Sequence, residues 1–264
     1  MIEPNPDHDQ FFVGYLKAPA AHTRFNVLLV GLIMLWIGAT AFVLVLTMRD
    51  PGPANWNLSN EQTWEGTLLE SPYPTLIPKN YPDSPAMLVV SSGKHSAHEQ
   101  LRDSYGQYVQ IRGFELKRDG RYLIELSPDD QAVKPAPNQS TQSLPVLERE
   151  TSEPVELVGE IVDGKCYHGA MKPGDGIGHR SCAILCLEGG LPPTFIAKTD
   201  IGDVPYPLLL VDGSTVLPPQ VTRLAGSRVQ IKAYQSTFAG LRILEASSED
   251  ISPIPLLSHS MLNP

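Results

Sequence analysis

A chain of 264 residues has room for one membrane anchor and one or two modest domains. Its net charge of −9, with no basic stripe, no zinc-finger pair spacing and no aromatic–basic interleaving, argues against a nucleic-acid partner. Proline (25) and glycine (21) are plentiful and aromatics make up 7%, which suits short strands and many turns better than long soluble helices.

Residues 1–24 read as a cytoplasmic N-terminal segment. Its first ten residues are acidic and polar, and Phe11-Phe12-Val13-Gly14-Tyr15-Leu16 follows as an apolar patch for the membrane interface or a partner subunit. Residues 25–48, FNVLLVGLIMLWIGATAFVLVLTM, carry no charge. They exceed the roughly 20 apolar residues a helix needs to cross a bilayer. A cleaved signal peptide would have a shorter apolar core and a small-residue cleavage site, and Thr47-Met48-Arg49-Asp50 supplies none. Lys17 and Arg24 precede the span and Arg49 follows it, so the bias of basic residues puts the N-terminus in the cytoplasm. The expected location is the bacterial inner membrane, single-pass, with the C-terminal domains in the periplasm.

Beyond a Pro51-Gly52-Pro53 spacer, two segments share a pattern. Trp64-Glu65-Gly66-Thr67 opens the first and Leu157-Val158-Gly159-Glu160 the second. Gly106-Gln107-Tyr108-Val109-Gln110-Ile111-Arg112 in the first matches Gly226-Ser227-Arg228-Val229-Gln230-Ile231-Lys232 in the second. Tyr122-Leu123-Ile124-Glu125-Leu126 and Leu241-Arg242-Ile243-Leu244-Glu245 close them as alternating strands. Such alternation between Gly and Asp-Gly turns predicts short antiparallel strands. The order of strands resembles the small OB-like barrels. The expected fold is therefore mainly β: one N-terminal transmembrane helix followed by two small OB-like β-barrel domains in tandem. Their expected bounds are 55–128 and 155–250. A Pro-rich linker at 129–154 separates them and a tail at 251–264 ends the chain. In the first half His95 and His98, with Glu99, are a weak metal candidate, and a solvated pair is the plainer expectation.

All three cysteines lie in one short segment of the second half: Cys166, Cys182 and Cys186, with His168 and His179 among them. Thiolates and imidazoles together suit zinc, copper or iron. His179, Cys182 and Cys186 fall at i, i+3 and i+7, one face of a helix that Gly189-Gly190 would stop. Cys166 would join them from the preceding strand or loop, giving a metal site of Cys166, His179, Cys182 and Cys186. A disulfide involving Cys182–Cys186 or Cys166, or inert buried thiols, are the other readings. His168 is expected to be a solvated loop residue. Asp163 and Glu188 flank the cysteines as candidate hydrogen-bond partners of the ligands rather than as an acid–base couple.

The string Gly159…Asp163…Cys166…His179-x-x-Cys182-Ala183-x-x-Cys186…Gly190-x-Pro192 resembles small bacterial exported domains that often stand beside respiratory or redox genes. The resemblance covers residues 157–247. It implies a shared role for the Cys/His set and names no reaction. Here the Gly/Pro-rich insertion between Cys166 and His179 is longer. The expected function is a membrane-anchored extracytoplasmic accessory subunit of a respiratory or electron-transfer complex, with integral membrane subunits and the lipid bilayer as partners. The alternative is a periplasmic thiol–disulfide or metal-delivery protein. An independent enzyme is less expected, because no nucleophile elbow, phosphate loop or zincin helix occurs. A c-type haem lacks its Cys-x-x-Cys-His.

Overall fold

Ala20–Thr47 form one helix, α1. Within His22–Thr47 an 18-residue window has a mean hydropathy of 2.6, and the apolar residues surround the whole helix rather than one stripe, the pattern of a segment with no aqueous face. At 1.5 Å per residue it is about 42 Å long, against a hydrocarbon core of about 30 Å. By length and composition it can cross a membrane. The hydroxyls of Thr40 and Thr47 donate back to Trp36 O (2.9 Å) and Val43 O (3.0 Å), which satisfies them without water. The computed structural model describes residues 20–47, 54–118, 120–136, 152–200 and 202–254. The apolar patch at 11–16, the flanking Lys17 and Arg49, the 51–53 spacer and most of the expected linker and tail lie outside them.

The chain divides into two units, Met1–Asp50 and Pro51–Pro264. The second unit is built on two sheets. The first contains β1 (Asn55–Trp56), β2 (Gln62–Leu69), β3 (Thr75–Pro78), β4 (Met87–Val90), β5 (Tyr108–Arg118), β6 (Arg121–Leu126) and β7 (Val133–Pro135), with the one-turn helix α2 (His98–Leu101) between β4 and β5. Strands β5-β2-β3-β4-β6 pair in that order and β6 pairs back to β5, so five strands close into a barrel. The second contains β8 (Glu153–Asp163), β9 (Pro193–Thr199), β10 (Gly202–Tyr206), β11 (Leu208–Val211), β12 (Arg228–Phe238), β13 (Leu241–Ala246) and β14 (Ile251–Pro253). Its order is β10-β9-β8-β12-β13-β11, with β14 on β12.

Three details depart from the sequence expectations. Each sheet contains one parallel pair, β4 with β6 and β11 with β13, where alternation suggested antiparallel strands throughout. Side-chain periodicity reports burial and is blind to the direction of the neighbour. Strand β7 lies in the expected linker and pairs with β5. Strand β14 lies in the expected tail and pairs with β12. Both are three-residue edge strands ending in proline, too short to show a period.

Strand β2 of the first sheet and β8 of the second each change partner at a glycine. Gly66 pairs with Val109 of β5 and with Pro78 of β3. Gly159 pairs with Val229 of β12 and with Ala197 of β9. A strand shared between two neighbours must coil sharply there, which brings a backbone carbonyl against its Cα. A Cβ at Gly66 would lie 2.1 Å from Ile77 O, and one at Gly159 2.1 Å from Ile196 O. The two Gly-x-x-Val runs thus place Val109 and Val229 opposite the two coiling glycines. Gly159→Ala is expected to destabilise the fold by about 3 kcal/mol, measured by denaturant midpoint. Gly178→Ala is the control, since a Cβ there meets nothing within 4 Å among the described residues. Equal midpoints for the two variants would count against the coiling role.

Each sheet encloses its own apolar core. A further cluster bridges the two. It joins Leu88, Leu116 and Leu123 of the first sheet to Leu191, Leu208 and Ile243 of the second half, and Cys166 and Cys186 belong to it. The thiols therefore sit at the seam between the sheets.

Candidate metal centre

The connection between β8 and β9 carries every cysteine. Strand β8 ends at Asp163, and the chain turns at once through a short helical turn, Cys166–Ala170. Asp163 Oδ1 accepts from Cys166 N at 2.8 Å and so shapes that turn. Gly169 closes it with φ +133°, its Cα pressed against the Asn55 backbone, where a Cβ would lie 2.8 Å from Asn55 C. Helix α3 (Arg180–Glu188) follows, with His179 at its N-cap and Gly189 at its C-cap. Leu191 N donates to Cys186 O and Gly190 adopts φ +85°, which turns the chain out of the helix.

These elements bring the sulfurs together. Cys166 Sγ lies 4.0 Å from Cys182 Sγ, and Cys182 Sγ lies 3.9 Å from Cys186 Sγ. No disulfide joins them among the described residues. Cys166, His179 and Cys182 each offer a ligand atom within 4.8 Å of the other two, and so do Asp163, Cys166 and Cys186. Cys166, Cys186 and His179 are buried, and Cys182 is half-buried.

His179 shows how such a site is prepared. Its Nε2–H donates to Asp163 Oδ2 at 2.9 Å, and both side chains are fully buried. In the neutral ring that bond places the proton on Nε2 and leaves Nδ1 as a lone pair. Nδ1 is buried and has no hydrogen-bond partner among the described residues. A buried imidazole nitrogen without a partner costs free energy unless something fills its lone pair. A carboxylate holding the far nitrogen of a histidine is the arrangement that orients metal-ligating imidazoles.

The thiols do not share one proton affinity. The Cys166 thiol is pushed far up, first by donating to Cys186 and then by burial. The Cys186 thiol is moved down, first by receiving that hydrogen bond from Cys166, against the opposing effect of burial. Lys94, on the loop after β4, donates from Nζ to Cys182 Sγ at 2.8 Å and lies 3.8 Å from Cys186 Sγ. Its own affinity for a proton is raised, first by the bond to Cys182.

Two basic residues pin the loop to the first sheet. Lys165, beside Cys166, donates to Ser91 O (3.1 Å) and Gly93 O (2.7 Å) and pairs with Glu125 Oε1 of β6 (3.2 Å). Arg118 of β5 lies 3.9 Å over the Tyr167 ring and donates to Tyr167 O at 3.1 Å. Past α3, Ser96 N donates to Gly189 O (3.0 Å) and Tyr73 Oη to Gly190 O (3.0 Å). The first sheet thus reaches the thiols through Lys94.

Not every flagged residue joins the cluster. His168 is buried, not solvated, and its Nδ1–H donates to Gly164 O at 2.6 Å. The turn from Cys166 folds it inward and Tyr167 packs edge-on to its ring. His98 Nδ1 is bonded to Tyr105 Oη at 2.9 Å, His95 is exposed, and neither joins a metal-capable group among the described residues. Glu188 is exposed. Lys94 and Lys165 carried no signal in the sequence: Lys94 stands 88 positions from Cys182, and Lys165, though next to Cys166, looks like any solvated lysine until the fold buries it. Compared with protein-family models, with curated proteins and with solved structures, the chain has no match in any of the three.

Proposed function

We propose that Cys166, His179, Cys182 and Cys186 hold one metal ion, with Asp163 orienting His179, and that the protein is a membrane-anchored accessory subunit of a respiratory or electron-transfer complex. The observation that carries the metal reading is His179: its buried Nδ1 has no hydrogen-bond partner among the described residues, its Nε2 is held by Asp163, and a ring nitrogen lies within 4.8 Å of the sulfurs of Cys166 and Cys182. Three thiolates and one imidazole suit a closed zinc site, and the same donors suit copper or iron. When bound, the ion would cross-link the β8–β9 connection, and a copper or iron ion would add one-electron chemistry.

The two sheets are OB-like modules in tandem. Support comes from a shared pattern: β5-β2-β3 with β6 on β5 and β4 parallel to β6 in the first sheet, and β12-β8-β9 with β13 on β12 and β11 parallel to β13 in the second. The apolar helix α1 supports the anchor, with the β unit on the periplasmic side. A seam rich in contacts between two modules suits a protein whose work is assembly.

The test is elemental analysis of the full chain purified in mild detergent, with the co-purifying proteins identified. One equivalent of zinc, copper or iron and a set of larger membrane subunits are expected. Substoichiometric metal together with a disulfide found by thiol counting would overturn the metal centre. The half-buried Cys182 favours the second reading, thiol exchange or metal delivery. In that case Cys186→Ser would trap a mixed disulfide with a partner protein.

A further inference from the structure

We propose that Lys94 is a working part of this centre: its ammonium, supplied by the first sheet, is the fixed counter-charge to the sulfur donors that the second half gathers around one ion. The inference rests on the metal reading above and adds the residue that balances its charge. Three thiolates outweigh a divalent ion by one negative charge, in a place where two of the three cysteines are buried. Uncompensated charge away from water is costly, so the site needs a cation close by. Lys94 Nζ is 2.8 Å from Cys182 Sγ and 3.8 Å from Cys186 Sγ. The other lysine near the cysteines, Lys165, spends its three N–H donors on Ser91 O, Gly93 O and Glu125. Asp163 adds negative charge beside His179 and Cys166 and so increases the need.

The position of Lys94 is built rather than incidental. Lys165 grips Ser91 O and Gly93 O on one side of it, and Ser96 N bonds to Gly189 O on the other. Between them the Lys94 carbonyl rests on Gly189 so closely that a Cβ there would lie 1.8 Å from Lys94 O. The loop is thus locked to the end of α3, and Cys182 and Cys186 lie on that same helix. Glycine at 189 is what permits this approach. The exposed side chain of Lys94 covers the half-buried sulfur, so it is removable without opening a cavity.

Cobalt(II) is the probe, titrated into the metal-free full chain in detergent. The wild-type chain is expected to bind one equivalent with intense sulfur-to-cobalt charge-transfer absorption. Lys94→Met keeps the length and removes the charge. It is expected to weaken cobalt binding by about tenfold to a hundredfold, the range for lost outer contacts to metal ligands. It should also move the charge-transfer band to longer wavelength, because a thiolate without its cation is a better electron donor. Lys94→Arg should restore most of both. A Lys94→Met chain with wild-type affinity and band position overturns the counter-charge and leaves the metal reading intact. A wild-type chain that takes up no cobalt overturns both.

Discussion

Cys166→Ser is expected to cost the protein its metal. Cys166 belongs to both metal-capable groupings found among the described residues, one with His179 and Cys182 and the other with Asp163 and Cys186, so its loss leaves neither of them three donors. Serine keeps the size and removes the soft anionic donor that zinc, copper and iron prefer. Affinity should fall by more than the 10- to 100-fold typical of losing an outer-shell partner. At fixed metal concentration a hundredfold loss removes about 2.7 kcal/mol of metal-dependent stability. The expected result is a lower melting temperature with metal present and a near-wild-type one after chelation. Asp163→Asn should give a smaller loss of the first kind, since it perturbs His179 without removing a ligand. If Cys166→Ser held a full equivalent of metal and melted like the wild type in both states, the proposed centre would fall.

Lys165→Met is expected to be among the most destabilising single changes in the β unit. Lys165 and Glu125 are both almost fully buried and 3.2 Å apart. Removing one partner of such a pair costs about 3–5 kcal/mol, because the other charge is left uncompensated. Ser91 O and Gly93 O would lose a donor as well. Burial already holds the Glu125 carboxyl above its ordinary value, opposed by Lys165. Without Lys165 its folded value rises further above its unfolded one. The deficit should therefore be smallest below the unfolded carboxyl value and grow as pH rises through the folded one. Adding Glu125→Gln should recover part of the loss in a double-mutant cycle, read by denaturant midpoint. Additive costs would mean that the pair contributes nothing as a pair. The same variant bears on the centre, because Lys165 anchors the loop that delivers Lys94.

The mechanical picture is of a thiol cluster held by two sheets at once. The second sheet supplies the sulfurs and the imidazole on one connection. The first supplies Lys94 over the sulfurs, and its Ser91, Gly93 and Glu125 hold Lys165 next to Cys166. A ligand change and a seam change should therefore influence each other, whereas Gly159→Ala acts on the coil of β8.

Much of this was local information, readable in order. The uniform apolarity of residues 25–48 marks a helix without an aqueous face, since composition alone sets that property. The spacing of His179, Cys182 and Cys186, with glycines behind, predicts a short helix with those residues on one side, and α3 runs Arg180–Glu188. The matched Gly-x-x-Val runs point to paired strands of the same kind, and β5 and β12 each span 11 residues. What only the tertiary structure decided was every relation between distant segments. The parallel pairs, the burial of His168 and the bond from Asp163 to His179 depend on how each half folds, and the arrival of Lys94 at Cys182, 88 positions away, depends on how the two sheets meet. Periodicity records which face of a strand is covered, but nothing in it records what does the covering.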